Sequence, residues 1–136
     1  QQTTTGTLPK LKKVISGKQL RDFQQLVERV PVPDHVHELA VDLVRRTRPN
    51  EEESPAWLKR LVQWGAGPRA IQYLIKGAKA RAVLSGNYMT SMEDVEAVAD
   101  PVLFHRILTN FHARSEGVTS TEVVKRLIED ARKEQR

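Results

Sequence analysis

The sequence predicts an all-α domain, a small bundle of about five to six helices with room for one short extended pair. Three observations carry this expectation. Apolar residues recur at i, i+3, i+4 and i+7 in one segment after another, and helix-start signatures precede those segments. No apolar/polar alternation is sustained over several strands, and no internal repeat is visible. With 136 residues, 39% of them apolar, the chain can bury one core of ordinary size.

The elements follow in order. Gln1–Pro9 is Thr-rich and aperiodic, which reads as a flexible lead over residues 1–13. Ser16 is a plausible N-cap, after which Leu20, Phe23, Leu26, Val27 and Val30 give a first helix its apolar face, ending before Pro31. Val32-Pro33-Asp34 breaks the chain and starts a second helix on Val36, Leu39, Ala40, Leu43 and Val44. Arg45, Arg46 and Arg48 crowd its C-terminal end, where they suit the negative pole of the helix dipole. Ser54-Pro55 supplies an N-cap and first-turn proline to a short helix carrying Trp57, Leu58, Leu61, Val62 and Trp64, with both tryptophans on one face that packs against the next helix.

Gly65-Ala66-Gly67 ends that run, and Pro68 opens the central helix, which places Ile71, Leu74, Ile75, Ala78 and Ala82 inward until Ser85-Gly86-Asn87 stops it. Thr90 with Glu93 forms a capping box for a helix on Met92, Val95, Val98 and Ala99, and Pro101 starts one or two further turns through Leu103, Phe104 and Ile107. Leu108–Gly117 is either irregular or a short strand beside Tyr88. Thr119 with Glu122 caps a final helix on Val123, Val124, Leu127, Ile128 and Ala131. Residues 14–132 thus form the helical domain, and 133–136 a frayed tail.

Little of this could carry a reaction. No cysteine is present, which excludes a disulfide framework, a thiolate metal site and a cysteine nucleophile while leaving the compartment open. His35, His37, His105 and His112 lack the i, i+4 spacing of a helical metal pair, so no metal is expected. Asp34, Glu38 and Asp42 line one helix flank, the pattern of a solvated face. A net charge of +5, from 22 Lys and Arg against 17 Asp and Glu, permits nucleic-acid contact without arguing for it. No apolar run approaches the ~20 residues of a membrane span and Gln1–Thr5 begins no signal peptide, so a cytoplasmic protein is the simple reading.

Arg69 stands apart. A cation in the first turn faces the positive end of the helix dipole, at a cost of roughly 0.3–1 kcal/mol when exposed. An anion would reverse that sign, since helix-start N–H groups suit phosphate or carboxylate and the flanking glycines allow close approach. The alternative is an Arg paired with a neighbouring carboxylate.

Trp64-Gly65-Ala66-Gly67-Pro68-Arg69-Ala70 resembles the lid-domain signature of MoxR-type AAA+ ATPases, and Leu43-Val44-Arg45-Arg46-Thr47-Arg48-Pro49 resembles the segment that precedes it. Val14-Ile15-Ser16-Gly17, Gly77-Ala78-Lys79-Ala80-Arg81-Ala82, Glu93-Asp94-Val95 and Pro101–Phe111 follow that family's order, so the resemblance spans about Leu8 to Ile128. It implies a helical lid that accompanies an α/β ATPase core; together they enclose ATP with magnesium in a chaperone-like ring. The phosphate loop, magnesium-binding acid and arginine finger would lie upstream of Gln1, so the fragment alone is not expected to hydrolyse ATP. Arg69 maps onto the family's sensor-two arginine, with Gly65, Gly67 and Pro68 as its supporting turn. Implied partners are the protein's own ATPase core, neighbouring subunits of the ring and a client or von Willebrand-type protein, with no specific nucleic acid. Two other classes compete. A stand-alone helical adaptor is one, and a helix-turn-helix nucleic-acid binder using Lys76, Lys79 and Arg81 is the other.

Overall fold

The computed structural model describes residues 12–134, so most of the expected lead, and Gln135 and Arg136 of the tail, lie outside the described residues. Its helices are α1 (Gly17–Arg29), α2 (Asp34–Arg46), α3 (Ala56–Leu61), α4 (Arg69–Leu84), α5 (Met92–Leu103), α6 (Phe111–Ser115) and α7 (Ser120–Glu134). Two short strands, β1 (Val62–Trp64) and β2 (Leu108–Thr109), pair antiparallel with an irregularity between Val62 and Trp64. The helical bundle with one extended pair is therefore the observed class.

The core lies between α2, α4, α5 and α7, where Val36, Leu43, Val44, Leu58, Leu74, Val95, Leu103, Val123 and Leu127 are almost fully buried. Small residues on α4 set its approach to α5: Ala70, Ala78 and Ala82 are buried, and a Cβ on Gly77 would come within 3.2 Å of Val98. Close approach of the two backbones lets dispersion contacts form along the whole pair. At the end of α4, Gly86 takes φ +75° while Asn87 N–H donates to the Ala82 carbonyl at 2.8 Å, the expected left-handed stop.

Several expectations need correction. The tryptophans do not share a helix face, because the chain leaves helical geometry at Val62, and Trp64 lies exposed on β1. The cause is β2, whose Leu108 and Thr109 pair with Trp64 and Val62 and draw the β-branched and aromatic residues into a ladder. The strand partner of Leu108–Thr109 is thus β1 rather than Tyr88, which is exposed. Trp57 packs on α7 instead of the central helix: its indole N–H donates to Asp130 at 2.9 Å and the Arg126 guanidinium lies 4.2 Å from its ring centre.

Capping differs by one residue at two starts. Ser54 is buried and donates its hydroxyl to the Arg48 carbonyl, leaving α3 with Pro55 at its cap position and no side-chain cap. Thr90 directs both its N–H and its hydroxyl at the Pro31 carbonyl, so Ser91 and Asp94 form the capping box of α5. Pro101 lies inside α5 rather than starting a new turn; it is itself exposed, and burial of Leu103 offsets the one helix bond that proline removes. The Ser16 cap and the Thr119–Glu122 capping box form as expected, and Gln19 completes a capping box at Ser16.

The cations at the end of α2 are held by carboxylates as well as suited to the dipole. Arg45 lies 2.6 Å from Glu53, and Arg46 donates twice to Glu134 of α7, at 2.7 and 2.6 Å. Arg46 also lies 2.7 Å from Asp42 in an ion pair too poorly angled for a hydrogen bond. Helix α7 is described through Glu134, and Arg132 forms a further bridge to Glu96 of α5 at 2.5 Å.

Hydrogen bonding to Arg46 lowers the Glu134 carboxyl below its ordinary range, and the Thr119 N–H does the same for Glu122. A folded state that favours the carboxylate gains stability that is complete above the ordinary glutamate range and lost as pH falls through the lowered folded values. Urea midpoints of the 136-residue chain should therefore fall between about pH 5 and pH 3, and fall less steeply in the Glu122→Gln/Glu134→Gln variant. Equal slopes in parent and variant would refute the assignment.

Candidate functional site

Arg69 begins α4, and a turn held by the end of α2 fixes where it emerges. Thr47 is fully buried and joins the two segments: its hydroxyl donates to the Val44 carbonyl at 2.7 Å and accepts from the Ala66 N–H at 2.8 Å. Next to it Arg48 donates its Nε–H to the Ala66 carbonyl at 2.9 Å and lies 3.4 Å from Glu51. Both backbone groups of Ala66 are thus satisfied by Thr47 and Arg48, the two residues that follow α2, as a buried peptide requires.

Gly65 is required by this arrangement. A Cβ there would come within 2.3 Å of the Thr47 carbonyl oxygen and 2.7 Å of the Arg48 Cα, so no side chain fits. Gly67 has open space where a Cβ would sit, and Pro68 occupies the cap position with helical dihedrals. The first N–H groups of α4 are less free than its sequence suggests: Ala70 and Ile71 donate to the carbonyls of Gly67 and Pro68, at 2.9 and 3.1 Å, and Pro68 has none. What the turn presents outward is chiefly the Arg69 side chain.

Arg69 is exposed and makes no hydrogen bond or ion pair among the described residues. This separates it from Arg45, Arg46, Arg48, Arg60, Arg81 and Arg132, each of which has a carboxylate within 4 Å. Beside the turn lies an open depression of about 470 Å³ bounded by Arg48, Asn50, Glu51, Trp64 and the Gly65–Pro68 backbone. A second, of about 390 Å³, continues past Trp64 to His105, Arg106 and Leu108. Arg106 stacks on Tyr73, 5.0 Å from its ring centre, and donates to the Val102 carbonyl.

The predicted site residues Gly65, Gly67, Pro68 and Arg69 are therefore contiguous on one exposed turn. Thr47 and Arg48, which hold that turn, carried no functional signal by themselves, although they belong to a segment whose order relative to Gly65 was legible. The histidines are not brought together, and among the described residues no group of three or more His, Asp or Glu side chains could hold a metal ion. No helix among them is long and apolar enough to cross a membrane.

Comparison with known proteins gives this geometry a context. Residues 54–127 match the AAA lid domain family. Chaperone MoxR1 of Mycobacterium tuberculosis is 28% identical over 127 residues, covering 90% of this chain and 33% of that protein. The uncharacterized protein YeaC of Bacillus subtilis is 28% identical over 118 residues, 87% of this chain and 34% of its own length. A crystal structure of a candidate ATPase from Cytophaga hutchinsonii superposes with a TM-score of 0.69 and 25% identity, over 82% of this chain and 33% of that one. The chain spans about a third of the length of these relatives.

Two substitutions test the turn. Thr47→Val leaves the Ala66 N–H buried and unpaired and should cost about 1–3 kcal/mol in urea unfolding. Gly65→Ala forces backbone atoms apart and should cost roughly 1–3 kcal/mol or more. Parent-like midpoints for both variants would show that α2 does not hold the turn.

Proposed function

The chain belongs to the AAA lid domain family, and from that premise we propose that it serves as the nucleotide-responsive lid of a MoxR-type AAA+ ATPase, with Arg69 as the sensor-two arginine. One observation carries this reading: Arg69 is exposed and without a partner among the described residues, at the end of a turn anchored through both backbone groups of Ala66. A guanidinium held against the helix dipole, with no internal carboxylate, is suited to an anion arriving from outside the domain.

Bound ATP supplies the terminal phosphate that is transferred to water. Toward that phosphate Arg69 offers planar, bidentate N–H donors whose attraction strengthens as charge develops and water is excluded. Thr47, Arg48 and Gly65 fix the position from which the donors reach, so that little reorganisation is needed when lid and core close. Magnesium and the attacking water would be held by the ATPase core, and a neighbouring subunit of a ring would complete the site. The longer protein would then act as a cytoplasmic, chaperone-like remodeller of a client or von Willebrand-type partner.

Arg69→Ala separates this role from a structural one. In the 136-residue chain it should change stability by under about 1 kcal/mol, because no hydrogen bond or ion pair among the described residues is lost. In the full-length ATPase it should lower steady-state hydrolysis by roughly tenfold or more, with Arg69→Lys restoring only part. A variant that loses several kcal/mol in the lid yet hydrolyses ATP normally would overturn the assignment.

A further inference from the structure

An open groove of about 860 Å³ runs between α1, α2 and α4, and shares no lining residue with the depressions beside Gly65. Its walls are apolar where Val27 of α1 meets Ile71, Ile75 and Ala80 of α4. Both isoleucines, expected in the core, are only half-buried. Helix α1 has an amphipathic sequence yet not one buried residue. Phe23 and Leu20, one and two turns before Val27 on the same face, are 52% and 49% exposed. Packing among the described residues therefore leaves this apolar strip uncovered.

The α4 wall of the groove is cationic. It carries Lys76 and Lys79, and helix α4 contains no acidic residue. Lys76 has no ion-pair partner among the described residues, and Lys79 donates to the Glu28 carbonyl at 2.9 Å rather than to a carboxylate. Glu28 is the single acid in the lining.

Both the architecture and the charge restrict what can lie there. The groove is walled by helices, whose backbone groups are already paired internally, so it offers no strand edge to an extended segment. An occupant must satisfy its own backbone, as a helix does, and bring carboxylates to Lys76 and Lys79. The chain's most acidic helix, α5, carries Glu93, Asp94, Glu96 and Asp100 without a base, but it is packed into the core and is not free to serve. We infer that the groove between α1 and α4 receives an amphipathic helix with an acidic polar face, supplied by a partner protein. The inference does not use Arg69 and stands apart from the nucleotide reading.

Fluorescence anisotropy with the 136-residue chain tests it, using a fluorescein-labelled helical peptide of about eighteen residues with leucines at i, i+3, i+4, i+7 spacing and glutamates elsewhere. Saturable binding is expected, about tenfold or more weaker for the same peptide with lysines in place of glutamates or with a central proline. Gln72→Glu/Lys76→Glu changes two exposed positions and leaves the Lys79 contact in place. With circular dichroism unchanged, it should weaken the acidic peptide about tenfold and strengthen the lysine peptide. Phe23→Asp should weaken the acidic peptide as well. Absent or unsaturable binding, equal affinity for the two charge patterns, or indifference to both variants overturns the proposal. So does sedimentation velocity showing a dimer that Gln72→Glu/Lys76→Glu dissociates, which would assign the groove to a second copy.

Discussion

The geometry of the molecule's exposed end depends on a contact that permits no side chain. The Gly65 backbone lies against the Thr47 carbonyl so closely that a methyl group would overlap it. Because the Thr47 hydroxyl is simultaneously bonded to Val44 and Ala66, the last turn of α2 and the entry to α4 behave as one unit. Arg48 repeats the connection from the other side of Ala66. A buried polar junction of this kind stabilises only when its members are satisfied, and here the Thr47 hydroxyl and both backbone groups of Ala66 have partners. Arg69 inherits its position from that junction, although it touches none of its members.

A second set of contacts closes the domain around the core. Ion pairs from Arg46 to Glu134, Arg60 to Glu116 and Arg132 to Glu96 connect segments that are distant in sequence, each with at least one exposed partner. Each is worth little individually in water, and salt screens them further. The stability of the fold rests instead on the leucines, valines and alanines between α2, α4, α5 and α7. The pairs to Glu134 and from Arg132 restrict how α7 is oriented over that core, as does the indole bond from Trp57 to Asp130.

Much of this was legible because local signals and tertiary packing agree. Ser16, Thr119, Gly86 and the periodic faces of α2 and α7 each follow from short-range chemistry, and the structure retains them. Sequence reasoning failed where a distant partner took over a local choice. Thr90 could cap α5, but the Pro31 carbonyl recruits it first. Val62 and Trp64 could extend α3, but Leu108 and Thr109 supply a ladder that no local window contains. The turn around Arg69 was visible as a motif, whereas its support from Thr47 and Arg48 depended on two segments meeting in space. The exposed face of α1 was invisible for the opposite reason: its periodicity predicts burial, and nothing among the described residues covers it.

The pairing of β1 with β2 also closes a long loop. Asn110 directs its N–H to the Leu61 carbonyl and its side-chain amide to the Arg60 carbonyl, fifty positions back, with the whole of α4 and α5 between. Closing so long a loop in an open chain is entropically unfavourable, and the few bonds of a two-stranded sheet cannot offset it alone. The α4–α5 hairpin, joined by a tight glycine turn, removes most of that loop by returning the chain to its starting side. The loop that the sheet must close is therefore shortest, and its closure least costly, once the helical hairpin is in place. Trp64 and the residues leading to Arg69 are thus held by contacts of long sequence separation, although they sit near the middle of the sequence.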